Sequence, residues 1–167
     1  MSYVVCIEGL PSSGKSTVTD ELVRTFLSEG IPAEVIGIES SEMRQEARAY
    51  PLGHRKRIML FWLMRLEQDE RAQERMGKSK IILLDRFWDS TIVFDHYGHG
   101  VPLEFLEWVG KSIQTKPDLT LFFNAPLEVL EKRKDSKSLS DDNFAQRIRA
   151  SYLEVAREKG RVEIDAS

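Results

Sequence analysis

The sequence predicts an α/β fold, with five parallel strands in one sheet and helices over both faces. Three observations carry that prediction. Short aliphatic runs alternate along the chain with longer stretches of helical periodicity. One run, Ile-Ile-Leu-Leu at 81–84, is apolar without alternation, as a strand covered on both faces must be. The first run leads directly into residues 9–16, Gly-Leu-Pro-Ser-Ser-Gly-Lys-Ser, which match G-x-x-x-x-G-K-[ST] at every fixed position. That motif joins a strand to a helix and is the mark of a P-loop, so the architecture expected is a three-layer P-loop NTPase fold.

Taken in order, residues 3–7 read as a buried strand. Val18, Leu22 and Phe26, flanked by Val23 and Leu27, form a helical stripe over 18–29. Gly30 and Pro32 then stop that helix in the expected order. Residues 33–38 are apolar and partly β-branched, a second strand. Residues 39–42 (Glu-Ser-Ser-Glu) hold N-cap candidates for a short helix to about residue 50, stopped by Pro51 and Gly53. A long helix follows over 54–76. Its first half, 58–64, is apolar almost all round, which predicts burial on several sides, and its second half is charged. The third strand, 81–84, closes on Asp85 and Arg86. Residues 87–97 read as helix, broken by Gly98-His99-Gly100, and Pro102 opens another to about residue 115. After the turn Lys116-Pro117-Asp118 comes a fourth strand, 119–123. Pro126 suits the first turn of the next helix, which runs into a polar, basic stretch at 131–142. The last helix, 142–159, carries Phe144, Ile148, Tyr152 and Val155 on one face. Gly160 ends it before a fifth strand at 161–165. With no repeat, linker or low-complexity segment, residues 1–167 read as a single domain.

Composition excludes several classes. A chain of 167 residues with net charge −3 has no basic surplus for general nucleic-acid binding. Its one cysteine, Cys6, permits neither an internal disulfide nor a cysteine-rich zinc site, and it is expected to pack in the first strand. The strand begins almost at Met1, leaving no room for a signal peptide, and the longest strongly apolar run, 58–64, is far too short to span a bilayer. A cytoplasmic protein without membrane partners is expected.

The chemistry centres on the P-loop. Gly9 and Gly14 let successive N–H groups point into one concavity, and the following helix adds the positive end of its dipole. Lys15 is placed to reach the β- and γ-phosphates, and the Ser16 hydroxyl to ligate Mg²⁺. The expected ATP-binding set is Gly9, Leu10, Pro11, Ser12, Ser13, Gly14, Lys15, Ser16 and Thr17. Asp85 closes an hhhhD run, the usual acidic partner of a P-loop, suited to hold a Mg²⁺-bound water, to orient an acceptor or to act as a base. Arg86 offers a forked cation for phosphate oxygens. Against these stand a salt bridge or a helix cap at a strand end. Phe61 and Arg65, four apart, share a helix face and suit stacking on a base and bonding its edge. Taken alone, that spacing is better explained by packing within an apolar run. Lys132, Arg133, Lys134 and Lys137, with Arg147 and Arg149 later, supply a candidate lid at about 132–142, Arg133 being the ATP contact chosen from it; a solvated surface explains such a charge run as well. His54, His96 and His99 read as surface or packing residues.

In combination these residues resemble the thymidylate kinase family. The opening Ile-Glu-Gly-Leu with Gly-Lys-Ser-Thr, Asp85-Arg86-Phe87-Trp88-Asp89-Ser90 (D-R-[YF]-x-x-S) and 116–123 (K-P-D-L-T-L-hh) are similar to its signatures. So are Phe61-x-x-x-Arg65, the late R-[IV]-R-x-x-Y-x-x-[LV]-A helix at 147–156 and Ile164-Asp165-Ala166. The resemblance runs in order through nearly the whole chain. It implies the reaction ATP + dTMP → ADP + dTDP with Mg²⁺ as cofactor. By position, Phe61 would stack on thymine, Arg65 contact the base and Arg86 grip the acceptor phosphate. Asp85 and Ser16 would serve the metal, while Ser90 and Phe94 would line the nucleotide pocket. A homodimer packed through the long helix is also implied, although the sequence equally permits burial of that helix within one chain.

The family pattern is departed from at Pro11 and Ser12, where an acidic residue and sometimes an arginine are usual. It also changes at 93–95, Val-Phe-Asp in place of A-Y-Q, and after the second strand, where Glu39-Ser40-Ser41 replaces an R-E-P-type clamp and leaves Arg44 as the nearby cation. Glu39 therefore belongs among the substrate-binding candidates. Two other readings are compatible with the residues: a kinase for a hydroxyl acceptor, a deoxynucleoside or small metabolite, with Glu39 as general base, and an ATP-binding protein without catalysis.

Overall fold

A computed structural model describes residues 1–38, 41–133 and 142–167. Five parallel strands form one sheet in the order β2-β3-β1-β4-β5: β1 Tyr3–Gly9, β2 Ala33–Ile36, β3 Ile81–Asp85, β4 Leu119–Asn124 and β5 Val162–Asp165. The helices are α1 Lys15–Ser28, α2 Ser41–Ala49, α3 Arg55–Arg75, α4 Trp88–Thr91, α5 Leu103–Gly110, α6 Leu127–Lys132 and α7 Asp142–Glu158, with a π-helical segment Ile92–Gly98 continuing α4. All five expected strands are present.

Strand geometry sends alternate side chains to opposite faces, and β1 shows both uses. Val5 and Ile7 join Leu83 and Phe123 under Leu22 and Val23 of α1. Val4 and Cys6 join Ile82, Leu84, Ala72 of α3 and Ile113 on the other face. Further along that second face, Phe122 of β4 packs against Phe144, Ile148, Tyr152 and Val155 of α7, the stripe read from the sequence. Because both faces are covered, residues 4–7 of β1 and 81–84 of β3 can be apolar without alternation.

Three expectations change. The apolar first half of α3 is not buried on several sides: Ile58 and Met64 are, but Met59 is 61% and Leu63 47% exposed, since among the described residues no element covers that flank. The stretch read as one helix over 87–97 is a single α turn that widens into a π-helix. The helix opened by Pro102 ends at Gly110 rather than near residue 115, because residues 113–115 turn back towards α3, where the Asp69 carboxylate accepts the N–H groups of Gln114 (2.9 Å) and Thr115 (2.8 Å). Among the helix ends, Gly30 (φ 74°) closes α1, and the His54 ring caps α3 by accepting the Lys56 N–H at 3.2 Å. Glu39 and residues 134–141, which include Lys134 and Lys137, lie outside the described residues.

Candidate active site

The loop after β1 occupies the centre of the sheet, where ligands of parallel α/β folds bind. Gly9 has φ 141°, and a Cβ there would meet the Phe123 carbonyl oxygen at 2.6 Å, so no other residue fits. Gly14, at φ 85°, turns the chain into α1. Leu10 is buried and anchors the loop in the core, whereas Ser16 and Thr17 open α1 with exposed side chains. Pro11 and Ser12 are half-buried, and Ser12 takes the left-handed φ of 64°. Lys15 lies folded along the loop, with Nζ donating to the Leu10 carbonyl at 2.6 Å and Ser13 Oγ at 3.1 Å. Only 6% exposed, it has its pKa lowered to about 7 by burial and then by Arg86, against the opposing pull of Asp85 and Glu8. The loop thus folds its buried lysine inward, with Nζ held by the loop's own oxygen atoms.

Beside it, β3 ends in register with β1, Asp85 opposite Ile7. Arg86 then adopts φ 56°, unusual for a residue with a Cβ and a local strain of about 1 kcal/mol. Its backbone is held from both directions. Its N–H donates to Ile7 O at 2.9 Å, and its carbonyl accepts from Arg65 Nη1 at 2.7 Å and Gln68 Nε2 at 3.0 Å. The strained turn aims the guanidinium over the Phe94 ring, 5.8 Å from its centroid.

Beneath that turn lies a group that sequence reasoning quoted but gave no role: Glu8, 1% exposed. Its Oε1 accepts the N–H groups of Phe87 (2.7 Å) and Ser90 (3.2 Å). Its Oε2 accepts the Ser90 hydroxyl at 2.5 Å, and Tyr152 in turn donates to Ser90 Oγ at 2.6 Å. A carboxyl in a fully buried strand must find donors, and here they are those of the D-R-F-x-x-S turn. The available signal was a lone acid in an otherwise apolar strand. The same burial, with Glu8 beside it, raises the Cys6 thiol pKa and that of the Tyr152 hydroxyl.

The remaining candidates divide. Phe61 is half-buried, with the Arg57 guanidinium 5.8 Å over its ring. Arg65 is buried against Gln68 and the Arg86 carbonyl, its pKa lowered by burial, and its Nε has no partner among the described residues. Phe94 borders the Arg86 side chain, whereas Ser90 sits below the turn, 4% exposed, with its hydroxyl taken up by Glu8 and Tyr152. Asp95 points towards α3 and accepts the Trp62 indole N–H at 2.6 Å; burial pushes its pKa up to about 6 against the opposing influence of Trp62 and Arg65. Arg44 donates to the Ile38 carbonyl, two residues past the end of β2. Arg133 donates to Ala166 O at 2.8 Å. Arg149 reaches the end of β4 through Asn124 Oδ1 (2.9 Å) and Ala125 O (3.1 Å), while Arg147 bonds Gly98 O at 3.3 Å.

A phosphate loop at the sheet centre, with an acidic strand end and a strained arginine beside it, defines a P-loop phosphotransferase. The family model for thymidylate kinase matches residues 7–167. The chain is also 29% identical over 174 residues to a thymidylate kinase of Nitrosomonas eutropha, covering 92% of this chain and 79% of that one. This chain belongs to the thymidylate kinase family, and it is an ATP-dependent phosphotransferase. Among the described residues, no helix is long and apolar enough to cross a membrane.

Proposed function

We propose that the protein transfers the γ-phosphoryl group of ATP to dTMP, yielding ADP and dTDP, and that Asp85, Arg86, Phe61, Arg65 and Phe94 form its acceptor side. The observation that carries this reading is the junction of the two strand ends. Arg86 is bonded through its backbone to Ile7, two residues before the phosphate loop, so an anion gripped by Arg86 lies beside the phosphates held by residues 9–17. An acceptor that is already a phosphate oxyanion attacks Pγ without losing a proton. Catalysis then rests on alignment and on charge neutralisation by Lys15, Arg86 and the loop N–H groups. The exposed Ser16 hydroxyl and the Asp85 carboxylate are hard oxygen donors suited to Mg²⁺, which when bound with ATP neutralises the charge of the phosphates.

Phe61 supplies an aromatic face for thymine, and the partnerless Arg65 Nε is a donor that an acceptor on the base edge would satisfy. Ser90 contributes by holding the turn from beneath. Residues 132–142, with Arg133 at their start, would close over the donor phosphates and exclude water. The reading includes one kinase domain over 1–167, a cytoplasmic location, and a homodimer through α3 and α5, supported by exposed Met59, Leu63, Phe105 and Trp108.

A coupled ADP-release screen over nucleoside monophosphates and nucleosides tests the proposal. dTMP should give the fastest turnover. The proposal fails if no monophosphate yields ADP above background while ATP binds. It also fails if a nucleoside is the substrate and Glu39→Gln abolishes its phosphorylation.

A further inference from the structure

Away from the phosphate loop, a cavity of about 200 Å³ opens between α4, the end of α5 and the start of β4. Its floor is the paired Cys6 and Thr120 of β1 and β4, which lie before the loop on the face opposite α1. Its walls are apolar and aromatic: Phe87, Trp88 and Ile113. Trp88 lies so close to the α5 backbone that a Cβ on Gly110 would stand 2.8 Å from its Nε1, which fixes the indole as a preformed wall. The charged lining is Lys116, Lys159, Arg161 and Asp89. Asp89 is already neutralised by Lys159 at 2.7 Å and Arg161 at 2.8 Å, so three cations against one carboxylate leave two positive charges.

We propose that this cavity is a second ligand site, for a small aromatic carboxylate. The ring would lie against Trp88 and Ile113, and the carboxylate among Lys116, Lys159 and Arg161. The size argues for a fragment of this kind, since sites for drug-sized ligands run from about 300 to 1,000 Å³. An occupant would reach the acceptor side directly. Trp88 and Asp89 belong to the turn whose Phe87 and Ser90 N–H groups rest on Glu8. A void of about 10 Å³ bounded by Glu8, Asp89, Thr120 and Arg161 also separates the cavity from that carboxylate.

The binding claim stands independently of the identity of the phosphate acceptor. Its test is a ¹H–¹⁵N NMR titration of the full chain with benzoate, with ADP saturating the phosphate loop. Expected are saturable shifts at the Trp88 indole and at the amides of Cys6 and Ile113, extending to Phe87 and Ser90. Benzyl alcohol, the neutral analogue, should bind at least fivefold more weakly. Lys116→Glu, a change at an exposed position, should weaken benzoate at least fivefold while leaving the rest of the spectrum in place. Equal binding of benzoate and benzyl alcohol, unchanged affinity in Lys116→Glu, or shifts confined to residues 9–17 would each overturn the proposal.

Discussion

The P-loop and the proposed acceptor side meet at the ends of β1 and β3, yet different forces hold them. The loop is made of backbone: Gly9, Gly14 and left-handed Ser12 shape it, and its lysine bonds to residues two and five positions away. The acceptor side is made of side chains carried in from distant parts of the chain. Arg65 and Gln68 hold the Arg86 carbonyl from α3, and Glu8 holds Phe87 and Ser90 from a strand about 80 residues earlier. Tyr152 of α7 completes that network. A local backbone site is read out by short-range spacing alone, whereas a site assembled by buried polar groups depends on every member being paired.

The largest expected effect belongs to the loop. Lys15→Ala should lower kcat by about 10³-fold, the scale of losing one aimed cation at developing phosphate charge. The fold should persist, because the substitution removes a buried amine rather than a core contact; steady-state kinetics with a far-ultraviolet circular dichroism spectrum checks both. Activity within tenfold of the parent would separate the loop from the chemistry.

Next comes Asp95, on the acceptor side. Its carboxyl is raised from 3.8 to about 6, chiefly by burial. The stability associated with its neutral form is therefore fully present below about pH 3.8 and lost by about pH 6. Asp95→Asn keeps an acceptor for Trp62 and removes that loss. At pH 7 it should stabilise the protein by about 1–3 kcal/mol and flatten the stability profile between pH 4 and 6, as urea titrations at several pH values would record. A destabilised variant would mean that Asp95 is held by partners favouring its charge.

The smallest effect sharpens the account of Lys15. A lysine whose pKa in the empty protein is about 7 must take up a proton when phosphates bind above that pH. Calorimetry of ADP binding at pH 8.5 in two buffers of different ionisation enthalpy should show uptake on the order of one proton, and almost none in Lys15→Met. For folding, the same shift means stability rises with pH from about 7 to 10.5 on this group's account.

How far these features are legible in the sequence follows from the same division. The strands, the loop and the α7 stripe depend on periodicity and on glycine positions, and each stands where the residues place it. Glu8 was visible as an acid in an apolar strand, but its partner Tyr152 lies 144 residues on, and no local pattern pairs them. The π-helix at Ile92–Gly98 has no composition of its own. It packs against α7, which comes so close at Gly98 that a Cβ would stand 3.0 Å from Ile148 Cδ1. That widened turn brings Phe94 to Arg86 and Asp95 to Trp62. The exposed flank of α3 at Met59 and Leu63 escaped a reading that equated apolar with buried.

The independence of the two halves is tested most directly by Glu8→Gln, which keeps the size of the buried group but exchanges one acceptor for a donor facing other donors. Calorimetric affinities for dTMP and for ADP, each measured on the folded variant, give the answer. The account predicts dTMP binding weakened at least tenfold with ADP within about twofold of the parent. Parallel loss of both ligands, or undiminished dTMP binding, would contradict it.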